Sequence, residues 1–310
     1  MRDMGASYPG AGAALSKCAP STTSAMQPPP GVLDRSNVGR LTSAVALVTA
    51  LVAATTSAAD AGNWATPAAG PSTSGGPEVL FTFDDGPNPA TTPKILDALA
   101  AHHVQAVFFM VGWRFQRGNV DKTRDLMHRI LDAGHVVANH TVSHAHLCTG
   151  KPEPAAAEID DARAILEREA GMPVTWFRAP YGAWCPRLAG MVEERHLTHV
   201  YWDIDPQEWR TGNAKLTEQL VERHLRRLTG RAVLLMHDTK VATTKALPKI
   251  LDWIETENAR RAKAGAPTIR IVGAPEWAAE MLGADTIAEA RSLGTDILGG
   301  LAQGLASALP

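Results

Sequence analysis

Two acids stand side by side at Asp84 and Asp85, closing the run Val79-Leu80-Phe81-Thr82-Phe83 and followed by Gly86-Pro87. Adjacent carboxylates repel, so a fold that keeps both supplies a cation or a proton to at least one. Farther on, His140 and His144 are four residues apart. One helical turn would put both imidazoles on one face. Two neutral imidazoles joined by a carboxylate make a metal site with room for water. Arg178, Tyr181, Trp202, Asp205, Glu208, Trp209, His237 and Asp238 complete the set that could do or steer such chemistry. Singly, each has an ordinary explanation. The chain has 11 histidines, so one i,i+4 pair is weak. The acid pair could be a capped turn, Arg178 a surface ion pair, His237-Asp238 a helix cap, and both tryptophans core.

The elements that must position these residues argue for the grouping. Strand-like runs fall at 79–83, 104–111, 135–139, 174–178, 198–203, 232–236 and 269–272. Helical spacing lies between them. Thr92 to Ala101 has Ile95, Leu96 and Leu99 on one face, and Asp121 can cap a helix with Leu126, Met127, Ile130 and Leu131 inward. Glu158 to Ala170, a segment marked by Leu216, Leu220 and Leu228, and Ala246 to Asn258 follow. This alternation predicts parallel strands with helical crossovers, and the number of units suits a barrel better than an open sheet. In such a barrel, chemistry gathers on the loops after the strands. Asp84-Asp85, Asn139 to His144, Arg178 to Gly182, Trp202 to Trp209 and His237-Asp238 follow five different strands. Together on one rim, they predict a metal site. No G-x-G-x-x-G turn or P-loop occurs, which disfavours dinucleotides and nucleotides.

At 310 residues, 45% hydrophobic and 20% charged, the chain can bury a large core. Its net charge is −2 with no basic block, so nucleic acid is not an expected partner. The first 76 residues are rich in small residues and proline. Arg35 and Arg40 precede an apolar run over 41–55, followed by Ser57-Ala58-Ala59 and Ala59-Asp60-Ala61. This predicts an N-terminal extension over 1–61 carrying a cleaved secretory signal. The apolar run is shorter than the ~20 residues of a spanning helix, so no stable membrane span is expected. Residues 62–76 read as a flexible linker, 77–282 as one catalytic domain and 283–310 as an amphipathic or disordered tail. Cys18 would leave with the signal. Cys148 and Cys185 would stay in a compartment that permits a disulfide, and sequence leaves open whether they pair or remain free thiols. His102, His103, His128, His196 and His224 read as surface, and His146 as a neighbour of the site rather than a ligand.

Thr82 to Pro87, His140-Thr-Val-Ser-His144, Arg178-Ala-Pro-Tyr181, Trp202 through Trp209 and Leu234-Leu-Met-His237 resemble, in order and spacing, the five motifs of the polysaccharide deacetylases. These are the NodB-homology enzymes, or family 4 carbohydrate esterases. The resemblance covers roughly 77–275. It implies a distorted (β/α)7 barrel that removes N- or O-acetyl groups from polysaccharides with one divalent metal, zinc above all, with cobalt or nickel as alternatives. It also implies roles. Asp85, His140 and His144 would hold the metal, which polarises the acetyl carbonyl and acidifies its water. Asp84 would be the general base, paired with Arg178. The Tyr181 backbone N–H would stabilise the oxyanion. His237 would be the general acid, tuned by a carboxylate. Leu235 and Trp202 would line the acetyl pocket, with Trp209 at its edge. The fourth motif ends in Glu208-Trp209 where the family usually has Asp-Trp, so Glu208 and Asp205 compete as the partner of His237. Ala145 stands where proline often follows the second histidine, and a Cys148–Cys185 bridge could stiffen that loop instead. The implied substrate is an acetylated polysaccharide or oligosaccharide, most simply an N-acetylglucosamine polymer such as peptidoglycan or a chitin-like glycan. A glycan-binding module without turnover and a small-amide deacylase are the alternatives. The first would lack a ligand, the base or the acid, and this chain has all of them.

Overall fold

The computed structural model describes residues 75–277, all within a unit spanning Ala61–Pro310. The proposed signal, Cys18, most of the linker and the tail 283–310 lie outside the described residues. The hub is β1 (Glu78–Asp84), buried at every position. Its apolar run over Val79–Phe83, interrupted only by Thr82, reflects cover on both faces. Val79, Phe81 and Phe83 join Ile95, Leu99, Ile250 and Ile254 in a strand–helix core. Leu80 joins Val107, Phe109, Ala138 and Val233 in the barrel interior.

β6 (Arg231–His237) runs along one edge of β1, from Glu78↔Arg231 to Asp84↔His237. β2 (Val107–Met110) and β7 (Arg270–Ile271) share the other edge, β7 near its start and β2 near its end. β3 (Val136–Asn139), β4 (Trp176–Phe177) and β5 (Thr198–His199) extend the sheet in the order β5-β4-β3-β2-β1-β6, all parallel. An isolated bridge, Ile204↔Leu234, brings the segment after β5 back to β6. The result is a curled α/β barrel of parallel strands, as the alternation predicts.

The crossover helices are α1 (Thr92–Ala101), α2 (Val120–Asp132), α3 (Pro152–Ala170), α4 (Pro186–Glu194), the single turn α5 (Glu208–Thr211), α6 (Ala214–Arg227) and α7 (Val241–Lys263). Several boundaries differ from the sequence spacing. Asn119, not Asp121, caps α2, its side chain accepting from Lys122 N. α3 begins at Pro152, before the apolar spacing starts, because proline suits the first helical turn. α4 was not expected, since only Leu188 and Val192 of its nine residues are buried. α7 extends past both expected ends and carries Pro248 inside it. β5 stops at His199 although the apolar run continues to Asp203. The reason is local: Arg178 takes the Val200 and Tyr201 carbonyls, and the Asp203 carboxylate takes the Val233 N–H. Those groups would otherwise serve a strand ladder.

Candidate metal centre and its rim

Asp84 is the last residue of β1, opposite His237 on β6. Arg178 follows β4 and is fully buried. Its Nη1 donates to Asp84 Oδ1 at 2.7 Å and to Thr82 Oγ1 at 2.8 Å, while Nε and Nη2 reach Val200 O and Tyr201 O. The guanidinium also lies 4.0 Å from the Phe109 ring centre. Burial lowers the Arg178 pKa and the Asp84 charge opposes that shift. A buried pair of this kind holds its geometry because losing one partner strands the other charge.

Asp85 is the next residue, and its φ of 75° is left-handed. Asp85 N donates to Phe109 O, and Arg114 Nε donates to Asp85 O at 2.5 Å. Asp85 Oδ1 lies 3.4 Å from His144 Nε2 and 3.8 Å from His140 Nε2. The two histidines do not share a helical turn. They lie on an irregular loop in which Thr141 (φ 70°) and His144 (φ 61°) are both left-handed. Asn139 Oδ1 accepts from Thr141 N at 2.8 Å and Thr141 Oγ1 from His144 N at 3.0 Å. These side chains replace the helical bonds and bring the imidazole centres to 5.0 Å. His140 Nδ1 sits 2.8 Å from Arg178 O and can only donate there, which leaves Nε2 as the free lone pair. Burial pushes the His140 pKa down to about 3, with the Asp85 charge opposing, so its imidazole is neutral.

One possible ligand atom from each of Asp85, His140 and His144 lies within 4.8 Å of the other two. Asp85 Oδ1 is buried with no hydrogen-bond donor. An orphaned carboxylate oxygen facing two imidazole nitrogens suits a divalent cation.

On the other side of Asp84, His237 Nδ1 lies 2.9 Å from Glu208 Oε1, which also accepts from His237 N at 2.7 Å. Glu208 is buried, and Thr243 Oγ1 donates to the same oxygen. Asp205 is not the partner; it accepts from Gln207 N at 2.7 Å. Burial alone would lower the His237 pKa. The Glu208 hydrogen bond and charge, with Asp84 and Asp85 behind them, raise it above its ordinary value.

Tyr181 (φ 61°) is 66% exposed, and its ring packs against His144 and His146 at 4.5 and 5.9 Å. Leu235 is buried in β6. Trp202 is half-buried, stacked on Tyr201 at 4.3 Å, and a Cβ on Gly182 would stand 2.6 Å from its ring. Glycine is therefore required beside Tyr181. Trp209 is 47% exposed. Cys148 and Cys185 are bridged, Cα–Cα 5.9 Å, joining the His144 loop to the Tyr181 loop. His103, His128, His196 and His224 are exposed, whereas His102 is half-buried between Asp252 and Glu255. Spacing placed Asp238 on the rim without a specific role and gave none to Arg114 or Thr92, although all three stand by the acid pair. Arg114 sits in a short 3-10 turn (Gly112–Phe115) after β2, a rim position where no motif points.

Residues 72–200 match the family model described as polysaccharide deacetylase. The chain is 33% identical over 187 residues to a peptidoglycan-N-acetylglucosamine deacetylase of Bacillus cereus, covering 59% of this chain and 65% of that one. It thus spans just under two thirds of that relative's length. It is 35% identical over 166 residues to a chitooligosaccharide deacetylase of Sinorhizobium fredii, covering 53% of this chain and 73% of that one. The fold matches that of the peptidoglycan deacetylase PdaC from Bacillus subtilis with a TM-score of 0.56 at 27% identity, covering 72% of this chain and 98% of that one.

Proposed function

Because this chain belongs to the polysaccharide deacetylase family, we propose that it is a metal-dependent hydrolase removing N-acetyl groups from N-acetylglucosamine units of an envelope glycan. The observation that carries the proposal is one rim. The Asp85–His140–His144 cluster is flanked by Asp84, fixed by Arg178, and by His237, fixed by Glu208.

The described residues fit a divalent cation, most simply zinc, held by Asp85, His140 and His144. When bound, such an ion supplies a Lewis acid for the acetyl carbonyl and a more acidic water. The chain's own groups supply the proton traffic. Asp84 accepts the proton of the attacking water, and Arg178 keeps that carboxylate aimed. The Tyr181 backbone N–H donates to the oxygen that gains charge. The imidazolium of His237 gives its Nε2 proton to the departing sugar nitrogen, while Glu208 holds Nδ1. Acetate and a free amine result. Leu235 and Trp202 bound the space for the acetyl methyl. Tyr181 and Trp209 are both exposed and suit the apolar faces of sugar rings, which supports a glycan over a small amide.

The relatives named for peptidoglycan and chitooligosaccharides support an N-acetylated glycan and a cell-envelope or secreted location, with the signal over 1–61 as its route. No helix among the described residues is long and apolar enough to cross a membrane. The test is acetate release from peptidoglycan, chitin oligomers, poly-N-acetylglucosamine and acetylated xylan. Release from an N-acetylglucosamine polymer is expected. Release from xylan alone would reassign the substrate, and none from any glycan by metal-loaded protein would make the chain a binding module.

A further inference from the structure

Asp85 is a non-glycine residue in left-handed backbone, a costly conformation that persists only where neighbours impose it. The imposing contacts are visible. Arg114 Nε donates to the Asp85 carbonyl, and the guanidinium lies 4.6 Å from the Trp113 ring centre. Val111 N donates to Gly86 O at 3.2 Å. The carboxyl of Asp238 faces Gly86 so closely that a Cβ there would overlap both its oxygens. Asp238 is fully buried, and Thr92 Oγ1 donates to its Oδ2 at 2.5 Å. Thr92 Oγ1 in turn accepts from Asn88 N at 2.7 Å. The turn that follows Asp85 is therefore fixed from β2 through Arg114 and from β6 and α1 through Asp238 and Thr92. None of these contacts touches the two histidines or the base, so they are not explained as proton-transfer machinery.

We propose that Arg114 and Asp238 are positioning residues for Asp85: they fix the Asp85–Gly86 peptide and thereby set how tightly the cluster holds a divalent cation. The inference rests on the reading of Asp85, His140 and His144 as metal ligands. Asp238 contributes shape and a hydrogen bond to this turn: its carboxyl packs against Gly86 and accepts from Thr92 Oγ1. Groups that orient a ligand from behind typically change metal affinity by about 10–100-fold.

The test is zinc affinity of metal-stripped protein, measured by competition with a chromogenic chelator, alongside the melting temperature of the same metal-free samples. Arg114→Met and Asp238→Ala are each expected to weaken zinc by about 10–100-fold while the metal-free protein keeps its fold. Asp238→Asn, which keeps the shape and the acceptor for Thr92, is expected to stay within a few-fold of the parent. Arg114 is only half-buried, so Arg114→Met tests the idea even where Asp238→Ala fails to fold. Parental zinc affinity in Arg114→Met would overturn the proposal. So would an affinity loss seen only with a matching loss of metal-free stability. His140→Ala separates the two readings. If it too binds zinc normally, the assignment of the metal site fails. If it alone loses zinc, only the positioning role fails.

Discussion

A single oxygen, Oε1 of Glu208, serves both the backbone N–H and the ring Nδ1 of His237. The extra methylene of glutamate thus does not break the contact to His237, the proposed acid. Its charge helps raise the His237 pKa, so the protonated form needed by the departing amine persists to higher pH. Glu208→Gln keeps an acceptor and removes the charge. The folded pKa of His237 should then fall, and the basic limb of the pH profile of kcat/KM should move to lower pH. At neutral pH the rate should drop by up to about 100-fold, part of what a general acid contributes. An unmoved basic limb would show that Glu208 does not tune this group. At this scale the sequence was informative about residue types and poor about partners. Asp84, Asp85, His140, His144 and Arg178 stand out by type and position. The choice of Glu208 over Asp205 does not, because both lie on one loop and only the folded chain shows Asp205 occupied by Gln207 N.

Among the elements, the strands were legible because a buried parallel strand is a short apolar run with turn residues behind it. What failed were segments whose backbone is governed by side chains. The His140–His144 spacing looks helical, yet Asn139 and Thr141 hold it as an irregular loop. The β5 run looks longer than it is because Arg178 consumes two of its carbonyls. α4 was missed because its buried face is two residues wide. The Cys148–Cys185 bridge joins two such loops across a sequence separation of 37. Closing a loop of that length restricts the unfolded chain by about 3–4 kcal/mol in the chain-entropy model. Cys148→Ser/Cys185→Ser should lower stability by about that amount, read as a fall in the urea midpoint without a change in far-UV circular dichroism. An unchanged midpoint would mean that the bridge contributes nothing to the barrel's stability.

For the whole molecule, the two ends of the barrel divide their tasks. At the start of the strands, buried Glu78 meets Arg270 at 2.7 Å and Arg231 at 3.2 Å, and Arg231 lies 3.7 Å from the Trp277 ring centre. At the strand ends stand the proposed proton-transfer groups and the candidate metal cluster. Just before β3, burial holds His135 neutral, its pKa pushed down to about 4, and at the end of β5 burial with the Arg178 charge pushes His199 down to about 3. A depressed histidine contributes its stability above the unfolded value near 6.5, and loses it as pH falls toward the folded value. The urea midpoint should therefore decline between pH 6.5 and about 4, and His135→Gln should flatten that decline. A midpoint independent of pH over this window would contradict the burial account. The central claim is that one cation and one base on this rim cleave an acetyl group. It is tested most directly by titrating metal-free protein with zinc while measuring acetate released from an N-acetylglucosamine oligomer. Acetate release should rise to a plateau at one equivalent, and Asp84→Asn should bind the same equivalent yet release almost none. Full release by metal-free protein, or undiminished release by Asp84→Asn, would contradict it.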